Sequence, residues 1–133
     1  MKSMSRILIA DPNPDVCQNI QQHFEQYGHE IHATRNESEV VRKARLWQPN
    51  AIVMSDQFDA HTPNHLCDNI KRDALAQHIP LLILLEGPNK PMVYDLLELG
   101  VDSVLSSSVD LEELRLRVEA LVRLTSTPVN QAM

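Results

Sequence analysis

The sequence predicts an α/β protein with a doubly wound, five-stranded parallel sheet in the order 2-1-3-4-5, which is a (βα)5 arrangement. Short apolar runs alternate five times along the chain with segments of helical periodicity. Residues typical of helix starts and ends separate these segments, and 133 residues is the length of one domain. Right-handed crossovers between such units give a parallel sheet with helices on both faces.

The first strand and helix are predicted within residues 6–28. Residues 6–10 form a short run that is apolar after Arg6, which is typical of a buried parallel strand. Asn13 and Pro14 follow as a helix N-cap and a first helical position. Apolar residues then recur at helical spacing as far as Gly28, which is predicted to end the helix as its C′ residue.

The second unit is less distinct, and the third strand is clearer. Residues 30–33 are predicted as a weak strand, and Asn36 as the cap of the helix that follows it. Pro49 closes that helix. Residues 51–55 are apolar up to the terminal serine and are predicted as the third strand.

The fourth strand follows from the strongest apolar signal in the chain. Thr62 and Pro63 are predicted to start the third helix. Pro80 then precedes residues 81–85, the most apolar run, which is expected to be a strand buried on both faces.

The last two elements complete the alternation. A helix over residues 92–99 ends at Gly100, and residues 101–105 are predicted as the fifth strand. Asp110 and Glu113 have the spacing of a capping box at the start of the last helix.

Chain length and charge limit the functions that we consider. Residues 1–124 are predicted to form one domain, with residues 125–133 as a C-terminal tail or linker remnant. A formal net charge of −6 argues against direct nucleic-acid binding. Neither a membrane-spanning run nor a signal peptide is evident, so we expect a cytoplasmic protein that does not bind membranes.

Polar residues follow three strands whose carboxyl ends should meet. In sheets of this order, a ligand site forms beyond the carboxyl ends of the strands, at the switch point between the first and third strands. Asp11, Ser55 and Ser107 stand at such ends and are expected to converge.

Four segments carry motifs of one known family. Residues 49–55, PNAIVMS, are similar to PDLILLD, and residues 79–85, IPLLILL, are similar to IPVIMLT. Residues 97–103, LELGVDS, are similar to LEAGADD, and residues 110–118, DLEELRLRV, to DPEELLARV. With these motifs in this order, residues 5–124 resemble the receiver domain of two-component response regulators, a CheY-like domain of flavodoxin-like fold.

The resemblance implies five positions for phosphorylation chemistry: an acidic pair, an acceptor aspartate, a hydroxyl residue and a lysine. The residues found there are Asp11, Pro12, Ser55, Leu85 and Ser107, and only the first matches the family. Phosphoryl transfer to a carboxylate needs Mg²⁺ and compensating positive charge. A serine without an adjacent base is a weak nucleophile. The site is therefore predicted to be degenerate, with weak or absent Mg²⁺ binding and no other cofactor.

A receiver fold without its switch chemistry indicates a binding module and not an enzyme. We expect a pseudo-receiver that acts in two-component signal transduction by phosphorylation-independent contact with a signalling protein or an output domain. The resemblance implies an interaction surface, which would also serve a homodimer, on the fourth helix, fifth strand and fifth helix. The residues predicted on this surface are Tyr94, Leu96, Leu97, Arg115 and Arg117.

Two alternatives remain open. Asp56 would be a shifted phospho-acceptor if the third strand slipped by one residue, although such a slip turns a side chain to the opposite face. The loop over residues 56–65 contains Asp59, His61 and His65, whose side chains are of types that bind zinc and other transition metals. That loop would make the chain a metal or small-ligand sensor.

Overall fold

The computed structural model describes residues 4–58, 62–87 and 89–126. Within them five strands alternate with five α-helices. The elements are β1 (Arg6–Ala10), α1 (Pro14–Glu25), β2 (Glu30–Thr34), α2 (Val40–Trp47), β3 (Ala51–Ser55), α3 (Pro63–Arg72), β4 (Leu81–Leu85), α4 (Lys90–Glu98), β5 (Ser103–Ser106) and α5 (Leu111–Ser126). The strands pair in parallel in the order β2-β1-β3-β4-β5, which confirms the predicted fold.

Two apolar cores cover the two faces of the sheet. Leu8, Ile52 and Ile83 lie on the face that α2, α3 and α4 cover. Ile9 and Leu82 lie on the opposite face, beneath α1 and α5. Every residue of β3 and β4 is buried, as expected for central strands that have helices on both sides.

Several boundaries differ from those predicted, and local hydrogen bonds give the reasons. Asn36 caps a short 3₁₀ turn before α2 and not the α-helix itself. Helix α4 begins earlier than predicted because the Asn89 side chain accepts a hydrogen bond from the Met92 backbone N–H, 3.0 Å away. Strand β5 begins later because Gly100 has a φ of +101° and the Val101 N–H still bonds to the end of α4.

Two residues predicted to lie on the interaction surface are buried. Leu96 points into the core beneath α4, and Arg115 is covered where α5 faces α1, so the prediction is wrong for these two. Tyr94 and Leu97 are 60% and 47% exposed. The Arg117 side chain is 53% exposed.

The carboxyl-terminal helix extends past the predicted domain boundary. Helix α5 includes Thr125 and Ser126, whereas residues 127–133 of the predicted tail lie outside the described residues. None of the helices in the described part of the chain is long and apolar enough to span a membrane.

Candidate functional site

Asp11 directly follows β1 and lies at the carboxyl edge of the sheet. Its backbone N–H donates to the carbonyl of Thr34 at 3.0 Å, which continues the pairing of β1 with β2 by one residue. Its carboxylate oxygen Oδ1 accepts a hydrogen bond from the backbone N–H of Asn13 at 2.9 Å. The Cys17 thiol donates to the Asp11 carbonyl at 3.3 Å. Strand pairing and the start of α1 therefore fix this carboxylate in place.

The surroundings of Asp11 oppose its negative charge. Burial raises the pKa of this carboxyl above its ordinary 3.8, and this is the largest influence. The Asn13 N–H and the Ser55 hydroxyl lower the pKa, whereas the charges of Asp56 and Glu86 raise it further. The net effect is a carboxylate with unfavourable local electrostatics.

Ser55 is the last residue of β3 and is buried beside Asp11. Its hydroxyl lies close enough to the Asp11 carboxyl to lower the pKa of that group. The backbone N–H of Gln57 donates to Ser55 Oγ at 3.0 Å. The structure therefore brings together the two positions that the sequence predicted to meet across β1 and β3.

Asp56 and Glu86 add two more carboxylates to this edge. The Asp56 N–H donates to the Leu84 carbonyl at 3.1 Å, so the chain still runs along β4 at this residue. Asp56 Oδ2 accepts from the backbone N–H of Glu86 at 3.2 Å, and Oδ1 accepts from Gln57 Nε2 at 2.7 Å. Asp56 thus ties the end of β3 to the loop after β4, and both of its carboxylate oxygens are already bonded within the chain.

Glu86 was not among the predicted site residues, although the sequence carries a signal for it. It is the first residue after β4, in the same position relative to its strand as Asp11 is to β1. Leu85 is buried, and its carbonyl accepts from the Ser107 N–H at 3.0 Å. Backbone pairing of β4 and β5 therefore joins these two predicted site positions, while the Ser107 side chain faces solvent.

The second position of the predicted acidic pair is a proline. Pro12 is half-buried and lies along an open groove with Arg35 and Phe58. Its ring offers no oxygen to a cation or to a phosphoryl group. Together with Ser55 this leaves Asp11 as the one carboxylate among the five predicted positions.

The candidate metal ligands in the loop after β3 are only partly described. Asp59 and His61 lie outside the described residues, and His65 is exposed on the first turn of α3. Within the described ranges, no group of three His, Cys, Asp or Glu side chains has the spacing to hold a metal ion.

The charges at this edge are unfavourable for a phosphoryl group. Asp11, Asp56 and Glu86 lie near one another, and no lysine or arginine of the described residues forms a salt bridge with any of them. A phosphoryl group carries about two negative charges, so it would be repelled here unless a cation were bound. The buried Ser55 hydroxyl instead lies beside the Asp11 carboxyl, where the backbones of β1 and β3 pair.

Comparisons with known sequences agree with this architecture. The chain matches the sequence profile of the response regulator receiver domain over residues 7–119. It is 26% identical over 122 residues to the DNA-binding dual master transcriptional regulator RpaA of Synechocystis sp. (strain ATCC 27184 / PCC 6803 / Kazusa). That alignment covers 92% of this chain and 51% of the relative, so the chain spans about half the length of the curated relative that it matches.

Solved structures have the same fold at low sequence identity. A CheY-like response regulator receiver domain protein from Methanospirillum hungatei JF-1 superposes with a TM-score of 0.85 at 16% identity, covering 92% of this chain and 97% of the other. A two-component response regulator from Clostridium difficile gives a TM-score of 0.84 at 23% identity, with coverages of 92% and 99%. At these identities the similarity shows the fold alone.

Proposed function

Because the chain belongs to the response regulator receiver domain family, we propose that it is an atypical receiver, which signals through protein–protein contacts without being phosphorylated. Receiver domains are signalling domains of two-component systems, and we propose no catalytic activity for this one. The observation that carries the proposal is that the position where the family places its acceptor aspartate holds Ser55, which is buried beside Asp11. Asp56 and Glu86 lie near Asp11, and neither forms a salt bridge with a lysine or arginine of the described residues.

The residues around Ser55 support a receiver that does not change conformation on phosphorylation. Leu85 replaces the hydroxyl residue of the family. That position therefore has no side-chain hydrogen-bond donor to couple the site to the loop after β4. Ser107 replaces the lysine, so its charge is missing. With coupling and charge neutralisation both lost, the domain would hold one conformation for its partner.

We propose α4, β5 and α5 as the contact surface for that partner. Tyr94, Leu97 and Leu116 are large apolar side chains that are exposed on its two helices. Arg117 adds a charged group that pairs with Glu113 at 3.0 Å. The partner is an output domain, a signalling protein or a second copy of the chain. A DNA-binding output domain is one partner of this kind, given the name of the sequence relative.

Incubation with acetyl phosphate and Mg²⁺ tests the loss of phosphorylation. We expect intact-mass measurement to show no phosphoryl adduct on the wild-type chain, since a metal-binding carboxylate, the acceptor and the lysine are all absent. The matched control is the variant Pro12→Asp, Ser55→Asp, Leu85→Thr and Ser107→Lys, which rebuilds the site and should gain an adduct. An adduct on the wild type that disappears in Asp56→Ala would contradict the proposal and establish the shifted acceptor.

Sedimentation equilibrium tests the surface for self-association. We expect the double variant Tyr94→Ser and Leu97→Ser to raise the dimer dissociation constant about ten-fold or more, since central apolar anchors dominate interface energies. Leu46→Ser is the control, because Leu46 is exposed on α2, away from this surface. A wild-type chain that remains monomeric at high concentration, or a dimer that only the control disrupts, would exclude this homodimer.

A further inference from the structure

A cleft at the carboxyl edge remains unexplained by partner binding. It lies between the loop that follows β4 and the loop that follows β5, and its volume is about 580 Å³. Small-molecule sites in proteins typically span roughly 300–1,000 Å³ and combine apolar walls with a few polar groups. The cleft is therefore of a suitable size for a metabolite, and its lining determines which chemistry it would select.

The floor of the cleft is apolar. Leu85, Val93, Val104 and Leu105 line it. Leu85 stands where the family has a hydroxyl group, and Ser107 at the rim stands where the family has a lysine. A branched alkyl group thus replaces a polar one, and a short side chain leaves space that a long one would occupy. The two losses at the phosphorylation site create a surface that favours an aliphatic or aromatic body.

One side of the rim carries hydrogen-bond donors. Lys90 is exposed at the start of α4, and none of the described residues accepts a hydrogen bond from its ammonium group. Asn89 uses its oxygen to cap α4, which leaves its amide nitrogen as a donor. The Ser107 backbone N–H is bonded to the Leu85 carbonyl, so the hydroxyl of this exposed lining residue is the donor that it can offer. Together they suit the oxygens of an anion.

The other side of the rim limits the charge of that anion. Glu86 lines the cleft, and Asp56 contacts the Glu86 backbone directly behind it. Lys90 is the one cationic side chain among the described lining residues. It matches a single negative charge, whereas a dianion such as a phosphate monoester would also be repelled by the two carboxylates. The charge pattern therefore favours a monoanion.

We propose that this cleft binds a small organic molecule with an apolar body and a single carboxylate. The carboxylate contacts Lys90, Asn89 and Ser107, and the body lies on Leu85 and Val104. Such a ligand would bridge the loops that precede α4 and α5, next to the proposed partner surface. This goes beyond the proposed function, because it adds a small-molecule ligand beside the proposed partner surface.

Nuclear magnetic resonance titration of the full, ¹⁵N-labelled chain tests the proposal with octanoate and 4-phenylbutyrate as probes. We expect saturable amide shifts confined mainly to residues 85–93 and 104–108. Octanol and octylamine should bind more weakly than octanoate, because they lack the anion. Octyl phosphate should also be weaker. No saturable shift with either carboxylate, an equal response to octanol, or stronger binding of octyl phosphate would each overturn the proposal.

Two charge variants separate this site from nonspecific binding. Lys90→Gln should weaken octanoate binding about five-fold, the effect of losing one partly solvated ion pair. Glu86→Gln should strengthen it. Lys43→Gln on α2 is the matched control and should leave the affinity for octanoate unchanged. Equal affinities for wild type and Lys90→Gln would overturn the assignment. The acetyl phosphate experiment is independent, so failure of this proposal and failure of the proposed function are distinguishable.

Discussion

Leu82→Ala is expected to lower the free energy of unfolding by about 3 kcal/mol, within the range for fully buried leucines. Leu82 is the second residue of β4, where it pairs in register with Val53 of β3 and Ser103 of β5. Its side chain is completely buried in the core beneath α1 and α5. Truncation leaves a cavity that β4 cannot close, because the neighbouring strands β3 and β5 fix its backbone.

Leu46→Ala is the matched control for this measurement. Leu46 is 72% exposed on α2, so the same truncation there should change stability by less than about 0.5 kcal/mol. Urea unfolding followed by circular dichroism gives both values from the midpoints at constant slope. Equal losses for the two variants would mean that Leu82 does not lie within a core covered by helices.

How well the sequence predicts each strand depends on its burial. Strands β3 and β4 lie within the sheet, and both were predicted with their exact bounds because every residue in them must be apolar or small. Strand β5 lies at the edge and is only half-buried, so its apolar pattern does not fix its start. Its start is set by Gly100 and by the hydrogen bond from Val101 to the end of α4. Such contacts between elements leave little trace in local periodicity.

The candidate site was likewise predictable from the sequence only in part. The contact between Asp11 and Ser55 was predictable, because topology alone places the ends of β1 and β3 side by side. Glu86 was missed because the family resemblance gives its position no role. The cleft beside Lys90 depends on how two loops are spaced, and neither loop has a periodic pattern. Strand ends are thus predictable from sequence, whereas the shape of the space between loops is not.

Arg115 shows why the exposure of helical residues is hard to predict. An arginine in a helix with many charges is usually expected to face solvent. Here its guanidinium lies 3.6 Å from the ring centroid of Tyr27 and bonds to Glu119 at 2.9 Å and to Glu112 at 3.1 Å. The glutamate spacings are visible in the sequence, but the tyrosine belongs to the turn after α1. Only the packing of α5 against α1 brings it within reach.

Glu112 and Glu119 connect Arg115 to α1 and to the loop before β2. Glu112 bonds to His23 Nε2 at 2.9 Å, and Glu119 bonds to His29 Nε2 at 2.8 Å. His29 is buried, whereas His23 is only partly covered. Arg115 is therefore the common partner of two carboxylates that in turn hold α5 against α1 and the loop before β2. Removing Arg115 therefore also affects the contacts that the two glutamates make with the two histidines.

Arg115→Ala is expected to lower the free energy of unfolding by about 2 kcal/mol, through loss of a largely desolvated cation–π contact and of the partner of two carboxylates. Arg117→Ala is the matched control, because Arg117 is exposed, lies on the same helix and, among the described residues, pairs only with Glu113. The free energy of unfolding of Arg117→Ala should fall by less than about 0.5 kcal/mol. Urea unfolding at neutral pH measures both, and equal effects would contradict the role given to Arg115.

The pH dependence of the stability difference between wild type and Arg115→Ala tests the electrostatic contribution of Arg115. The Arg115 guanidinium, followed by His23, lowers the pKa of Glu112 from 4.5 to about 2. A carboxyl group with a lowered pKa stabilises the fold above its ordinary pKa, and that stabilisation is lost as the pH falls through the folded value. In Arg115→Ala the largest cause of the lowered pKa is absent. The stability difference between wild type and variant should therefore narrow from pH 4.5 to about 2, and a constant difference would assign the effect to packing on Tyr27 alone.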